Sequence, residues 1–221
     1  SNTVDNGSTA NVELVLVDGG STDGTIEYLD DLNHPDIKLI KYGKRSPYPH
    51  YMNLGVAHAS HDLICQWNDD VLLLNSWDQV LDEVDEEHDA YLFNWKTGNL
   101  SDMTDPNWLR CEQMRDNNWI IINNADHDYP QSVGEQHGEI VMNYGIYKKN
   151  VFKKYGPYSP NYQYYCADGE MAMRSYYSGC EFKSCVAIKV LVLPAEKRAI
   201  MMSADVQRYN EDCRYYREKA K

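Results

Sequence analysis

Residues 12–32 read VELVLVDGGSTDGTIEYLDDL, and this stretch decides the fold. Its first six residues, 12–17, form a short apolar run rich in β-branched side chains, which predicts a buried strand. Residues 18–25 are small or polar and predict a loop. From Thr25 to Leu32 the apolar residues fall at positions 26, 29 and 32, which is helical spacing. The stretch is therefore predicted to be a strand, a loop and a helix.

The same alternation continues through the first 95 residues. Periodicity predicts four further elements: strands at 37–42 and 62–67, and helices at 51–59 and 77–84. Alternating strands and helices are typical of a parallel sheet covered by helices, whose ligands bind beyond the carboxyl ends of the strands. The loops at 18–25 and 68–70 both begin where a predicted strand ends. We therefore expect them to lie at one edge of the sheet and to form one site.

Beyond residue 95 the pattern changes. Residues 96–140 are rich in Asn, Asp and Trp and weakly periodic. We interpret them as a long, partly irregular segment over the binding edge, because loops of that length are more often functional than idle. The remaining elements are predicted as a strand and helix at 141–155, a helix at 167–177, a strand at 186–193 and a polar C-terminal helix at 203–219. No linker or repeat is visible, so we predict a single domain over residues 1–221.

Charge and composition argue against several classes of protein. Asp and Glu number 34 against 21 Lys and Arg, giving a net charge of −13, whereas a nucleic-acid-binding protein usually presents a basic face. The sequence contains no run of 18 apolar residues, so it predicts no membrane span. The six cysteines form no C-x-x-C pair, which disfavours a zinc site, and their scatter is typical of reduced thiols in a cytoplasmic protein.

Asn68-Asp69-Asp70 is the cluster that carries the most chemistry. It lies between the apolar runs LICQW at 63–67 and VLLL at 71–74. Acidic side chains among apolar residues are costly unless they are paired or bound to metal. Carboxylates beside a bound nucleoside diphosphate need a divalent cation to bridge them to the phosphates. The alternative interpretation is a solvated turn.

Two more carboxylates are candidates. Asp18, at a predicted strand end among small residues, is placed to accept hydrogen bonds from a base or ribose. The alternative is a structural turn in which Ser21 or Asp23 caps the following helix. Asp168 is a candidate general base, able to take the proton of an attacking hydroxyl, and its alternative role is a helix N-cap.

Taken in order, these motifs resemble glycosyltransferase family 2. The family's nucleotide loop commonly reads VDDGSTDGT, and residues 17–25 here read VDGGSTDGT. An Asn-x-Gly element and an Asp-x-Asp element, the latter often varied to Asn-x-Asp, follow in the family. Here these two elements are Asn53-Leu54-Gly55 and Asn68-Asp69-Asp70. The family then has a turn with an aromatic and two basic residues, followed by a Gly and a Glu-Asp element. These correspond to Gly145-Ile146-Tyr147-Lys148-Lys149, Gly156 and Ala167-Asp168. The resemblance covers about residues 12–182.

The resemblance implies an α/β GT-A fold, with a mostly parallel sheet flanked by helices. It implies an inverting, metal-dependent transfer of a sugar from a nucleotide-diphosphate sugar, foremost a UDP-sugar, to a glycan, lipid-linked or protein-linked acceptor. The cofactor would be Mn²⁺ or Mg²⁺. A nucleotide-binding part would span about 1–95 and an acceptor-binding part about 96–200. The implied roles are Asp168 as base, Asp70 as metal ligand, and Asp18, Arg45, Asn68 and Asp69 in binding the nucleotide sugar.

Three features depart from the family pattern. Gly19 replaces the second Asp of the nucleotide loop, and Ala167 replaces the Glu of Glu-Asp. The family's opening strand, nucleotide loop and helix have no counterpart before Val12, so we expect the chain to be a piece of a longer protein or to receive that strand otherwise. Two alternatives stay open at this point, a sugar-nucleotide nucleotidyltransferase and an inactive GT-A module that binds a carbohydrate or nucleotide.

Overall fold

The structure is a computed structural model that describes residues 8–68, 71–100, 114–115, 119–120, 144–163, 165–193 and 203–219. The strands are β1 (Leu14–Asp18), β2 (Ile37–Lys41), β3 (Leu63–Gln66), β4 (Val71–Leu73), β5 (Ala90–Thr97), β6 (Met114–Arg115), β7 (Trp119–Ile120), β8 (Gly145–Lys148) and β9 (Phe182–Val192). The helices are α1 (Thr25–Leu32), α2 (Tyr48–His58), α3 (Trp77–Asp82), α4 (Asn150–Lys154), α5 (Ala167–Tyr177) and α6 (Ser203–Lys219).

The elements with strong periodicity agree with the prediction. Helices α1, α5 and α6 have the predicted bounds, and β1, β2 and β3 lie within two residues of theirs. Helix α2 begins three residues earlier than predicted, because Pro49 lies in its first turn, where a missing N–H costs nothing. Strands β4 and β5 were not predicted. Much of the predicted irregular segment at 96–140 lies outside the described residues, although β6 and β7 pair there as a short antiparallel ribbon.

The main sheet has five strands in the order β3-β8-β5-β9-β4, and β1 and β2 pair in parallel as a separate two-stranded sheet. Strand β8 is antiparallel to both β3 and β5, while β9 is parallel to β5 and antiparallel to β4. Strands β3, β5 and β9 therefore run in one direction, and β8 and β4 in the other. The expectation of a mostly parallel sheet therefore holds for β1 and β2 but not for this sheet, in which three of the four pairings between neighbouring strands are antiparallel.

The main sheet separates two hydrophobic clusters. Strand β5 contributes to both, because its successive side chains point to opposite faces of the sheet. Ala90 and Leu92 pack with α4 and α5 on one face, whereas Tyr91 and Phe93 pack with α3 on the other. All four side chains are at most 3% exposed. The burial of both faces explains why the first four residues of β5 are all apolar. Within the described ranges, no helix combines the length and the apolarity needed to cross a membrane.

Candidate functional site

Asp18 ends β1 and turns its carboxylate back onto the loop of residues 18–25, the Asp18 loop. Its Oδ2 accepts the N–H of Gly20 at 2.7 Å, and both oxygens accept the N–H of Ser21 at 3.2 Å. A hydrogen bond from the Ser21 side chain is the largest cause that lowers the pKa of Asp18, and these backbone N–H groups lower it further. Asp18 is therefore an ionised, 8% exposed group that shapes the loop.

The N-terminus of α1 is capped differently from the expectation. Its N-cap residue is Gly24, with a φ of 92°, and neither Ser21 nor Asp23 occupies that position. Asp23 instead accepts the N–H of Thr25 at 3.2 Å and its hydroxyl at 2.6 Å. The left-handed backbone at residue 24 is the reason for a glycine there, since other residues adopt that region at a cost.

Tyr51 of α2 joins the Asp18 loop to the loop that carries Arg45. Its hydroxyl accepts the N–H of Ser46 at 2.6 Å and donates to the carbonyl oxygen of Lys44 at 3.0 Å. A Cβ atom on Gly19 would collide with the same hydroxyl. At the glycine that departs from the family pattern, a side chain would therefore displace the Tyr51 hydroxyl from its place. Arg45 itself is exposed, between the two residues that Tyr51 holds.

A groove of about 620 Å³ opens beside the Asp18 loop. Its walls are residues of that loop, Leu16 and Leu39 of the two-stranded sheet, and Tyr28 of α1. The Tyr28 side chain is 66% exposed, although it is aromatic. The volume is in the range of small-ligand sites, and its lining combines apolar surface with a carboxylate and backbone N–H groups.

The Asn68-Asp69-Asp70 triplet connects β3 to β4. Asn68 is half-buried, while Asp69 and Asp70 lie outside the described residues. The indole N–H of Trp67 donates to the carbonyl oxygen of Val71 at 3.0 Å, which joins the two ends of the connection. The residues on either side of the triplet are thus held together by one hydrogen bond.

The chemistry of the triplet fits a hard divalent cation. Carboxylate and amide oxygens are the ligands that Mg²⁺ and Mn²⁺ prefer. Within the described ranges, which exclude Asp69 and Asp70, no three His, Cys, Asp or Glu side chains group closely enough to hold a metal ion. The triplet is the set of oxygen donors that the sequence singles out for this purpose.

A buried hydrogen-bonded network begins where β3 ends. Gln66, the last residue of β3, is 5% exposed, although the rest of the strand is apolar. Its amide nitrogen donates to the hydroxyl of Tyr48, and its amide oxygen accepts from the hydroxyl of Tyr158. This buried amide is therefore satisfied by two phenols, one from α2 and one from the segment that precedes α5.

Asp168 lies in the first turn of α5. The N-cap of that helix is Cys166, so the alternative role of Asp168 as the N-cap is wrong. Burial is the largest cause acting on this carboxyl and raises its pKa, although the N–H groups of Gly169 and of Asp168 itself oppose the shift. A raised pKa makes the carboxylate a stronger base than a free aspartate.

The network and Asp168 are neighbours. Burial raises the pKa of Tyr48, Tyr147 and Tyr158, and the negative charge of Asp168 raises each of them further. Two of these phenols are the partners of Gln66. The charge of Asp168 therefore acts on the two phenols that bind Gln66 at the end of β3, from which the chain continues to Asn68.

Asn53, from the Asn-x-Gly element, ties α2 to the same region. Its amide nitrogen donates to the carbonyl oxygen of Tyr158 at 2.9 Å, and its amide oxygen accepts the N–H of Tyr158 at 2.9 Å. On the same helix, Gly55 packs against Val17 of β1, since a Cβ atom there would lie 3.8 Å from the valine methyl. Helix α2 thereby connects β1, which carries Asp18, with the segment that leads to Asp168.

The predicted site residues thus fall into two groups. The Asp18 loop and the Arg45 loop are joined by Tyr51. The charge of Asp168 acts on Tyr48 and Tyr158, which bind Gln66 at the end of β3. Sequence reasoning missed the linking residues Tyr48, Tyr51, Gln66 and Tyr158, and it gave Asn53 no role. A glutamine within an otherwise apolar strand was a signal that could have been used, because buried polar groups need partners.

One family model matches most of the chain. It is described as Glycosyl transferase family 2, and it covers residues 2–156. Among curated protein sequences, none matches significantly.

Solved structures resemble the chain at low sequence identity. A mannosyltransferase from Pyrobaculum calidifontis, PcManGT, in complex with GDP-Man and Mn²⁺, has a TM-score of 0.56 and 17% identity over 84% of this chain and 49% of its own. TarS residues 1–349 from S. aureus has a TM-score of 0.56 and 13% identity, over 82% of this chain and 51% of its own. GalNAc-T7 with UDP, GalNAc and Mn²⁺ has a TM-score of 0.59 and 11% identity, over 90% of this chain and 41% of its own. The chain spans about half the length of these proteins, and the likeness shows the α/β GT-A fold.

Proposed function

The chain belongs to glycosyltransferase family 2, and from this premise we propose that it transfers a sugar, with inversion, from a nucleotide-diphosphate sugar to an acceptor hydroxyl. The acceptor class is a glycan, a lipid-linked sugar or a glycosylated protein. The observation that carries the proposal is the position of Asp168. Its carboxyl is buried enough to raise its pKa, and it neighbours the tyrosines that bind the end of β3.

In this proposal Asp168 is the general base. As the acceptor oxygen attacks the anomeric carbon, its proton passes to the Asp168 carboxylate, and the bond from that carbon to the phosphate oxygen breaks on the opposite face. The products are an inverted glycoside and a nucleoside diphosphate. A base placed in this way contributes roughly 10²–10⁴-fold to the rate. The raised pKa supports the role, because it gives the carboxylate more affinity for the proton.

Asp18 and Arg45 are proposed to bind the nucleotide. The support for Asp18 is that it lines the groove beside its loop, although the N–H groups of Gly20 and Ser21 and the Ser21 side chain already donate to its carboxylate. The adjacent groove offers the apolar surface of Leu16, Leu39 and Tyr28.

We propose that the triplet binds the nucleotide-sugar end that carries the diphosphate. Asp70 would be the metal ligand, with Asn68 and Asp69 near the ribose and diphosphate. A divalent cation, when bound, would neutralise the charge that develops on the departing diphosphate. The relatives support this assignment: one was solved with GDP-Man and Mn²⁺, another with UDP, GalNAc and Mn²⁺, and TarS with UDP and with UDP-GlcNAc. UDP recurs among them, which favours a UDP-sugar as the donor.

The test is a thermal-shift panel with UDP, GDP and dTDP, each with and without Mn²⁺, on the wild type, Asp70→Asn and Asp168→Asn. A nucleotide at 100 times its Kd stabilises the protein by about 2.7 kcal/mol, or roughly 5–10 °C for a domain of this size. We expect a shift that needs Mn²⁺ for one nucleotide, that is lost in Asp70→Asn and that is kept in Asp168→Asn.

A transfer assay with the matching nucleotide sugar completes the test. Asp168→Asn should bind the donor normally and transfer no sugar. Normal transfer by this variant would refute the assignment of the base. Nucleotide binding by the wild type without any transfer would instead indicate a binding module, and release of pyrophosphate from a sugar phosphate and a nucleoside triphosphate would indicate nucleotidyl transfer.

A further inference from the structure

We propose that Asp212, on α6, is a positioning residue that binds the main chain at Gln163 and Tyr165, in the segment before α5, and thereby holds Asp168 in place. The inference rests on the proposed function for the role of Asp168, but the clamp itself is a feature of the fold. It adds a residue from a helix that lies outside residues 2–156, the part matched by the family model.

The clamp consists of two hydrogen bonds to main-chain groups. Asp212 is only 2% exposed. Its Oδ1 accepts the N–H of Gln163 at 2.9 Å, and its Oδ2 accepts the N–H of Tyr165 at 2.9 Å. A buried carboxylate is costly unless it is hydrogen-bonded, and each oxygen here has a donor from the segment that leads into α5. The segment and the carboxylate therefore satisfy each other.

The segment needs such support because it contains a strained residue. Cys166, the N-cap of α5, has a φ of 60°, in the left-handed region that residues other than glycine rarely adopt. Such a conformation persists only when its surroundings hold it. The Asp212 clamp ends one residue before Cys166, and the sulfur of Cys213 lies 3.5 Å from the sulfur of Cys166. Asp168 follows two residues later.

Helix α6 packs along this segment and the start of α5. Tyr215 lies edge-on to Tyr162 with ring centroids 5.1 Å apart, and its hydroxyl accepts a hydrogen bond from the Asn161 side chain at 2.9 Å. The hydroxyl of Tyr216 lies 3.4 Å from where a Cβ atom of Gly169 would be. The Asp212 carboxylate thus lies on the face of α6 that packs against this segment and α5.

The opposite side of the segment is held by α2. The N–H of Tyr48 donates to the carbonyl oxygen of Gln163 at 2.9 Å. Gln163 is therefore fixed through its N–H by α6 and through its oxygen by α2. Because Tyr48 is also a neighbour of Asp168, loosening Asp212 should displace the base relative to the end of β3.

The test compares Asp212→Asn with Glu211→Gln in the full chain. Glu211 is the adjacent acid on the exposed side of α6, so its variant makes the same chemical change without touching the segment. In Asp212→Asn the amide can accept from one N–H while its own NH₂ group faces the other. Backbone hydrogen exchange across 159–166 should accelerate by about 10–100-fold, the effect of losing a charged hydrogen bond. The control should leave exchange there unchanged.

Activity gives the second readout. A base displaced by about 1 Å costs on the order of 100-fold in kcat, whereas the Mn²⁺-dependent shift with UDP should be kept, because the donor site lies on other elements. Asp212→Glu, which retains the charge and both acceptors, should recover part of the lost kcat and of the exchange protection.

Three results would overturn the proposal. Exchange across 159–166 that is unchanged in Asp212→Asn would show that no clamp exists. Exchange that accelerates uniformly over the chain would show a role in global stability alone. Faster local exchange with normal kcat would show that the segment does not position the base. If the wild type transfers no sugar, the proposed function fails, and local exchange still decides whether Asp212 orders the segment.

Discussion

Replacing Asn53 by alanine is expected to destabilise the protein through one small set of contacts. The Asn53 side chain both donates to and accepts from the main chain of Tyr158, at 2.9 Å in each case. Tyr158 is 1% exposed, so water does not readily take the place of the lost amide. Asn53→Ala removes two hydrogen bonds and leaves an N–H and a carbonyl oxygen without their Asn53 partner.

The magnitude follows from the two orphaned groups. Leaving a buried donor or acceptor unsatisfied costs about 1–3 kcal/mol each. Alanine returns roughly 0.6 kcal/mol through its higher helix propensity in α2. The net loss is about 1.5–5.5 kcal/mol, which lowers Tm by roughly 3–20 °C in a domain of this size.

Thermal unfolding followed by circular dichroism measures this loss. Asn210→Ala is the matched control, because Asn210 is exposed on α6 and gains the same helix propensity without losing a buried contact. The control should be as stable as the wild type or more stable by up to about 0.6 kcal/mol. If the two variants unfold at the same temperature, the link between α2 and Tyr158 does not stabilise the fold, and the reasoning is refuted.

Two further predictions concern the site. Gly19→Ala should cost about 1–3 kcal/mol in thermal unfolding because of the Tyr51 hydroxyl, whereas Gly55→Ala, with its nearest contact at 3.8 Å, should cost nothing; equal effects would contradict the steric argument. Burial raises the pKa of Asp168 in the folded protein, so the folded state pays a cost to ionise this carboxyl that the unfolded state does not. The free energy of unfolding therefore falls as pH rises from the unfolded pKa to the folded pKa. Asp168→Asn should therefore raise Tm more at about pH 7 than at about pH 3, and a pH-independent difference would contradict the shift.

The sequence predicted the elements with strong periodicity well, because their signals are local. Helices α1, α5 and α6 and strand β1 follow from periodicity, and the family resemblance follows from motifs such as residues 17–25. The resemblance and the GT-A fold are confirmed by the family match and by the solved relatives. The roles of Asp18, Arg45, Asn68, Asp69, Asp70 and Asp168 stay predictions.

The mixed sheet could not be predicted in the same way. Strands β5 and β8 are neighbours although more than 45 residues separate them along the chain, and hydrophobic patterning does not specify which strands pair. Strand β4, with only three residues, is too short to show a period. These pairings depend on how both faces of the sheet are buried, which is a property of the assembled core.

What the sequence by itself determined is the strongly periodic elements and the chemistry of the residues at their ends. What only the tertiary structure decided is which of those residues meet. Gly19 is explained by Tyr51, 32 positions away, and the segment before Asp168 is held by Asp212, 49 positions from Gln163. The physical reason is that hydrogen bonds and steric contacts between distant residues form only once the elements pack, and no local pattern in the chain records them.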